Sequence, residues 1–315
     1  MELTRRDLGK LALAAIPASA LLAKPNSKID GVQVGAITYS YRAMPGYTKA
    51  EDLLKYIVDS GISAVELMSQ AAEFYAGSPA ATFPAGGGGR GRGATPEQQA
   101  AARERAEALK KWRLSVPMDK YKAFRKMYND AGVSIYAFKL PPSPTMSDEE
   151  YEYIFHVAET LGANHVTLEL STNLEFTKRL GDFAAKKKML AAYHNHEQGT
   201  ITAWDAVLEQ SKGNALNLDC GHYVEGAQES PIPLMKKHSG RIASMHLKDC
   251  KKSANGGQIV PWGQGDTPVA EILQAMRKEK YKFPVSIEYE YQTPDGSTPV
   301  LETAKCLQFC RKALA

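Results

Sequence analysis

The sequence predicts an α/β protein: one closed (β/α)8 barrel, the TIM-barrel architecture, with a Gly-rich insertion after strand 2. Three observations predict it. From residue 32 onward, short apolar runs alternate with amphipathic stretches, which implies parallel strands joined by right-handed crossovers. Eight such units fit within 315 residues, which suits a closed barrel better than an open doubly wound sheet. No Gly-x-Gly-x-x-Gly follows the first strand, which argues against a dinucleotide-binding fold.

In chain order, strand 1 is expected over residues 32–38, a helix over 49–60 and strand 2 over 64–68. A helix over 118–130 leads to strand 3 at 134–140, and a helix over 148–161 leads to strand 4 at 165–170. Strand 5 is read at 190–194, strand 6 at 216–219, strand 7 at 242–247 and strand 8 at 285–289, with a last helix over 299–314. Gly61, Gly132 and Gly162 each stand just before a strand, where a glycine can end one helix and turn the chain into the next strand.

One segment breaks the rhythm. Residues 70–117 contain the run Gly86-Gly87-Gly88-Gly89-Arg90-Gly91-Arg92-Gly93, then a charged, alanine-rich stretch over 96–112 that reads as helix. Loops after barrel strands open on the functional face, so the insertion is either a lid, a subunit contact or a surface excursion. One short Gly/Arg copy is weak evidence for RNA binding.

Residues 1–25 read as an export signal and 30–315 as the barrel domain. Arg5-Arg6 precede an apolar run too short to span a bilayer, and Ala18-Ser19-Ala20 has the form of a cleavage site. The paired arginines make it look like a twin-arginine signal, so the expected location is periplasmic or otherwise exported, with no stable membrane insertion. The net charge of +4 is mild and no basic face is interleaved with aromatics, so no nucleic-acid partner is expected. The four cysteines form no Cys-x-x-Cys pair, which disfavours a zinc ribbon. Cys306 and Cys310 sit one helical turn apart, which suits packing.

The chemistry gathers where strands end. Strand 4 ends in Glu169, strand 5 in Tyr193-His194-Asn195-His196-Glu197, strand 6 in Asp219-Cys220-Gly221-His222, strand 7 in His246-Leu247-Lys248-Asp249 and strand 8 in Glu288-Tyr289-Glu290. Four of the seven histidines fall there; His156, His165 and His238 read as ordinary helix or surface residues. Alternation along each strand puts Glu169, Asp219, His246 and Glu288 on the inward face. Charges there are costly to bury alone, so a bound cation is their natural partner. A mixed Asp/Glu/His set suits one divalent metal ion, Mn, Co, Zn, Fe or Mg.

These residues resemble the xylose-isomerase-like barrels, the sugar phosphate isomerase/epimerase group. The markers are Asn217-Leu218-Asp219-Cys220-Gly221-His222, Met245-His246-Leu247-Lys248-Asp249, Pro261-Trp262-Gly263-Gln264-Gly265-Asp266 and Ser286-Ile287-Glu288-Tyr289. The resemblance implies metal ligation by Asp219, His246 and Glu288 and substrate contact by His222. It also implies a fourth ligand at the end of strand 5, usually a Glu. Here His194 stands at that place, so the fourth ligand is either His194 or Glu169. Relatives of this kind are often dimers or tetramers, which leaves a homo-oligomer open. The stretch Tyr193–Thr200 also looks like that of inosose dehydratases.

The expected chemistry is proton removal by Glu169 or Glu288 beside a carbonyl held by the ion, giving an enediolate of a small-molecule sugar. Lys248, His196 and His222 would steady oxyanions or leaving groups, and Glu66 and Lys139 would line the sugar site. An exported enzyme meets few sugar phosphates, so an unphosphorylated keto sugar or keto-glycoside is expected. Loss of a β-oxygen substituent would make it a dehydratase or lyase instead. A non-catalytic sugar-binding barrel and an abasic-site nuclease are the other readings; the latter needs about three metals and a DNA-binding face.

Overall fold

The structure, a computed structural model, describes residues 24–82 and 95–315. The expected export segment up to residue 23 and the glycine run 85–93 lie outside the described residues.

Eight parallel strands close on themselves: β1 (Val32–Ile37), β2 (Ala64–Met68), β3 (Ser134–Lys139), β4 (His165–Glu169), β5 (Leu190–His194), β6 (Asn214–Asp219), β7 (Ile242–Leu247) and β8 (Val285–Ile287). Each pairs with its neighbour in sequence, and β8 pairs with β1 through Val285 opposite Val34. Closure removes both sheet edges, so every inner side chain faces a shared interior. The main core lies between the outer strand faces and the helices. Val65, Leu67, Tyr193, Leu216, Leu218, Met245 and Leu247 point outward into it. Inward residues differ sharply: alanines Ala192, Ala215 and Ala243 make one small cluster. Thr167, Asn217, Ser244 and Ser286 are fully buried polar groups.

Helix ends follow local chemistry. The helix Asp148–Leu161 opens with a reciprocal Ser147/Glu150 capping box and closes on Gly162 at φ 94°, a left-handed conformation that a side chain would strain. Further helices connect the later strands: Leu174–Lys186, Asp205–Gln210, Cys220–Ala227, Ile232–Lys237 and Val269–Lys278. After β7 the chain forms a small hairpin, Asp249–Cys250 against Ile259–Val260. Asp249 folds the rest of that loop around itself. Its Oδ2 accepts the N–H groups of Gly263, Gln264 and Gly265, and its Oδ1 accepts that of Thr267. A Cβ on Gly265 would lie 2.2 Å from Asp249 Oδ1, which accounts for the glycine.

Strand ends differ from expectation by one or two residues. β8 stops at Ile287 rather than 289, because the Tyr289 N–H turns to Ser40 Oγ (3.0 Å) instead of a strand partner. β6 begins two residues earlier, at Asn214, and its pairing with β7 shifts register between Leu216 and Asn217. In the insertion, helices Ser69–Tyr75 and Pro96–Arg113 pack at the side of the barrel, the second reaching the helix Asp148–Leu161 through Lys110 and Glu150 (3.1 Å).

Candidate metal centre and pocket

Consecutive strand ends deliver His194, Asp219, His246 and Glu288 to one point at the barrel mouth. All four are buried, and one ligand atom from each lies within 4.8 Å of the others. The backbone fixes Asp219 from two sides: its N–H donates to Asn195 Oδ1 (2.9 Å) and its C=O accepts from Asn195 Nδ2 (3.1 Å). Its Oδ1 caps the helix Cys220–Ala227 by accepting the His222 N–H (2.8 Å), so Oδ2 is left facing the centre. His246 Nδ1 lies 2.9 Å from Glu288 Oε2, and Nε2 lies 2.8 Å from Glu66 Oε2.

Charge is dense and almost dry here. Lys248, 1% exposed, places Nζ 2.7 Å from Glu288, 2.5 Å from Glu290 and 3.0 Å from Asp219 Oδ2. Burial alone would lower its pKa, but the carboxylates of Asp219, Glu288 and Glu290 outweigh that and hold it well above the ordinary lysine value. Glu288 is the mirror case: burial raises its pKa, while Lys248 and His246 bring it well below the usual carboxylate range. His194 is driven well below the usual imidazole value by burial, then by the positive charges of His246 and Lys139, which leaves a neutral ring with a lone pair to offer.

Two buried atoms in this set, Asp219 Oδ2 and His194 Nδ1, have no hydrogen-bond partner. Lys248 is close enough to Asp219 Oδ2 for an ion pair without the direction of a hydrogen bond. Unpartnered buried donors and acceptors are rare. The neutral His194 ring, His246 and two carboxylates make a set that a divalent cation would complete by taking the place of a His246 proton. The residues fit the expected ion.

Above the set opens a pocket of about 190 Å³, lined by Ile37, Tyr39, Met68, Lys139, Glu169, His196, Lys248 and Glu290 as well as His194 and Glu288. Glu169 is half exposed, 3.0 Å from Lys139 Nζ and 3.7 Å from His196 Nδ1. Of the two candidates for the fourth ligand, His194 lies within the buried set and Glu169 stands above it. His222, expected to contact substrate, lies outside the pocket lining but beside His196, with its Nδ1 3.0 Å from Glu225 Oε2 and its ring 4.9 Å from that of His196. A larger hollow of about 440 Å³ lies at the opposite end of the barrel beside Asp30 and Arg277, but among the described residues no cluster of potential metal ligands lines it.

Two expectations change with the structure. Glu66, expected against the sugar, is 0% exposed and lies beneath His246, outside the pocket lining. His165, read as an ordinary helix or surface residue, is 0% exposed inside the barrel, because it opens β4 on the inward face. None of the described insertion residues 70–82 and 95–117 lines the pocket. Sequence reasoning gave no role to Asn195 or Tyr39. Glu290 was visible as the residue sharing a face with Glu288, but its pairing with Lys248 required the structure.

Comparison with known proteins places the molecule. Residues 99–312 match the family model described as xylose isomerase-like TIM barrel, more than half of the chain, so the chain belongs to that family. An inosose dehydratase from Clostridium botulinum is 27% identical over 154 residues, covering 42% of this chain and 51% of that protein. The chain thus spans about half the length of the curated relatives it matches. The "probable 3-DHS dehydratase" from Bacillus anthracis superposes with a TM-score of 0.60 at 14% identity, over 88% of this chain and 98% of that one. A D-psicose 3-epimerase superposes at 0.59 and 13% identity, over 90% and 99%. At these identities the two structures establish the fold.

Proposed function

We propose that the protein is a divalent-metal-dependent isomerase or epimerase acting on an unphosphorylated keto sugar or keto-glycoside. The observation that carries this reading is the buried His194–Asp219–His246–Glu288 set, with its two unpartnered atoms, at the floor of a small pocket. A divalent ion there would supply electrophilic polarisation of a carbonyl and the hydroxyl beside it.

The chain's own residues do the rest. Glu169 lines the pocket and is not enclosed by the buried set, so it takes the proton from the carbon next to the carbonyl, leaving an enediolate. A proton delivered from a second donor or from solvent to the opposite face makes the epimer; a proton returned to the neighbouring carbon, with the hydroxyl proton passing between the two oxygens, makes the isomer. Glu288 is less suited as the base, because its Oε2 is already shared by Lys248 and His246. Lys248 donates to the oxyanion as charge develops, and His196 and His222 orient hydroxyls at the rim.

Charge balance supports an unphosphorylated substrate. Among the described residues, both lysines facing the pocket are neutralised, Lys139 by Glu169 and Lys248 by Glu288 and Glu290, and no arginine lines it. A phosphate needs uncommitted cations or free N–H groups. The volume, below the roughly 300–1,000 Å³ of pockets for drug-sized ligands, suits a single sugar ring. The reading includes export by the twin-arginine route, which rests on the sequence before residue 24 alone.

A second reading, a dehydratase or lyase on a keto-polyol or keto-glycoside, is favoured by the similarity to inosose dehydratases. It shares the first proton transfer and differs in losing a β-oxygen substituent afterwards.

The test starts with metal content of the purified protein beside an Asp219→Ala/His246→Ala variant. About one divalent ion per chain, lost in the variant, is expected. Keto sugars incubated in deuterated water should then gain deuterium beside the carbonyl, about 10²–10⁴-fold more slowly with Glu169→Gln. A product with a new double bond selects the lyase. A wild-type protein that takes up no divalent ion removes the enzyme reading and leaves a sugar-binding barrel.

A further inference from the structure

Glu66 is a carboxylate that neither lines the pocket nor reaches solvent. It sits at 0% exposure in the barrel interior, and a charge there is tolerated only if fully partnered. Its Oε1 accepts from Thr167 Oγ1 (2.7 Å); its Oε2 accepts from Asn217 Nδ2 (3.1 Å) and meets His246 Nε2 (2.8 Å). Thr167, Asn217 and His246 all face inward from their strands, so four strands converge to hold one carboxylate against one imidazole nitrogen.

We propose that Glu66 is a positioning residue for the metal site: it keeps a proton on His246 Nε2, so that Nδ1, beside Asp219 and Glu288, is the nitrogen a divalent ion would take in place of its proton. This rests on the metal-dependent reading above. Both ring nitrogens face carboxylates, Nδ1 that of Glu288 and Nε2 that of Glu66, so a divalent ion would have to replace the proton on one of them. Nδ1 is the nitrogen 2.9 Å from Glu288 Oε2 and 3.9 Å from Asp219 Oδ2, so it is the one that can join the donor set. An ionised carboxylate has no hydrogen to give, so the atom facing it must carry one. Metal-binding imidazoles are commonly held this way by a carboxylate behind them, and losing it weakens metal binding about 10–100-fold.

The test is Mn²⁺ affinity of the full chain, read from the paramagnetic signal of the free ion, with thermal melting of the metal-free proteins alongside. Glu66→Gln keeps the size and removes the charge. A 10–100-fold weaker dissociation constant is expected, with a smaller, few-fold loss for Thr167→Val. In a His246→Ala background, Glu66→Gln should change the residual affinity little, because its effect passes through that ring. An affinity within about twofold of wild type overturns the proposal, and so does an equal loss with and without His246. Should Glu66→Gln fail to fold, Thr167→Val decides: an unchanged affinity counts against it. Wild-type protein that binds no Mn²⁺ or other divalent ion sinks the metal reading itself, whereas normal wild-type binding with an unaffected Glu66→Gln sinks only the role of Glu66.

Discussion

His165 stands inside the barrel with Nδ1 2.6 Å from Asn164 Oδ1 and Nε2 2.9 Å from Ser244 Oγ. That pattern suits a neutral ring, with Nδ1–H donating and Nε2 accepting the serine hydroxyl. Burial is the main cause that lowers its pKa, from 6.5 to about 4; the charge of Glu66 opposes it and that of His246 adds to it. The unfolded chain therefore binds a proton at a pH where the folded chain resists it. The sign follows: above about pH 6.5 the residue is neutral in both states and costs nothing, and stability falls as pH drops from about 6.5 to about 4. The full loss amounts to roughly 3 kcal/mol at about 1.4 kcal/mol per pH unit. Urea midpoints of wild type and His165→Gln at pH 7, 5.5 and 4.5 measure it. The wild type should weaken more steeply with acid; parallel slopes would show that His165 is not the source.

At the scale of an element, the insertion is tied down by one buried ion pair. Arg113, at the end of the helix Pro96–Arg113, reaches Glu73 on the helix Ser69–Tyr75 with Nε 2.8 Å from Oε1 and Nη2 3.0 Å from Oε2. Tyr153 Oη donates to the same Oε1 (2.9 Å) and Tyr121 Oη lies 2.6 Å from it in turn. The helix itself buries no residue fully, so this clamp, the Lys110–Glu150 pair and the Trp112–Tyr153 ring contact at 6.3 Å contribute to its attachment. Arg113→Ala would leave Glu73 buried and short of a counter-charge, at a cost of about 3 kcal/mol or more. Denaturant unfolding should show that loss, while deuterium exchange on a keto sugar keeps its rate, since no member of the clamp lines the pocket. A change below about 0.5 kcal/mol would mean the helix is held by other contacts.

For the whole molecule, the division is between the proposed export segment and a closed barrel. The proposed twin-arginine route transports folded proteins, and the barrel has no free edge strand, so it is able to complete its core and its donor set before transport. Among the described residues no helix is long and apolar enough to cross a membrane. An Arg5→Lys/Arg6→Lys variant of the full chain should accumulate in the cytoplasm with its divalent ion bound. Undiminished export of that variant, measured by cell fractionation, would remove the proposed route.

Sequence by itself determined the closed barrel and the ends of its strands to within about two residues. The reason is local: β-rich runs and glycine caps encode strands and helix ends within a few neighbouring residues, and alternation along a strand assigns each side chain a face. It therefore also puts Asp219, His246 and Glu288 on the inward face. Depth within the barrel was decided only by the tertiary structure. Alternation says that Glu66 and Glu169 both face inward, but not that one lies sealed under His246 and the other half exposed above His194. Depth depends on the stagger of neighbouring strands, including the register shifts between β2 and β3 and between β6 and β7, which no single strand encodes. The same holds for Lys248. Its place two residues after His246 is plain in the sequence, whereas its contact with three carboxylates from β6 and the end of β8 exists only once the barrel closes.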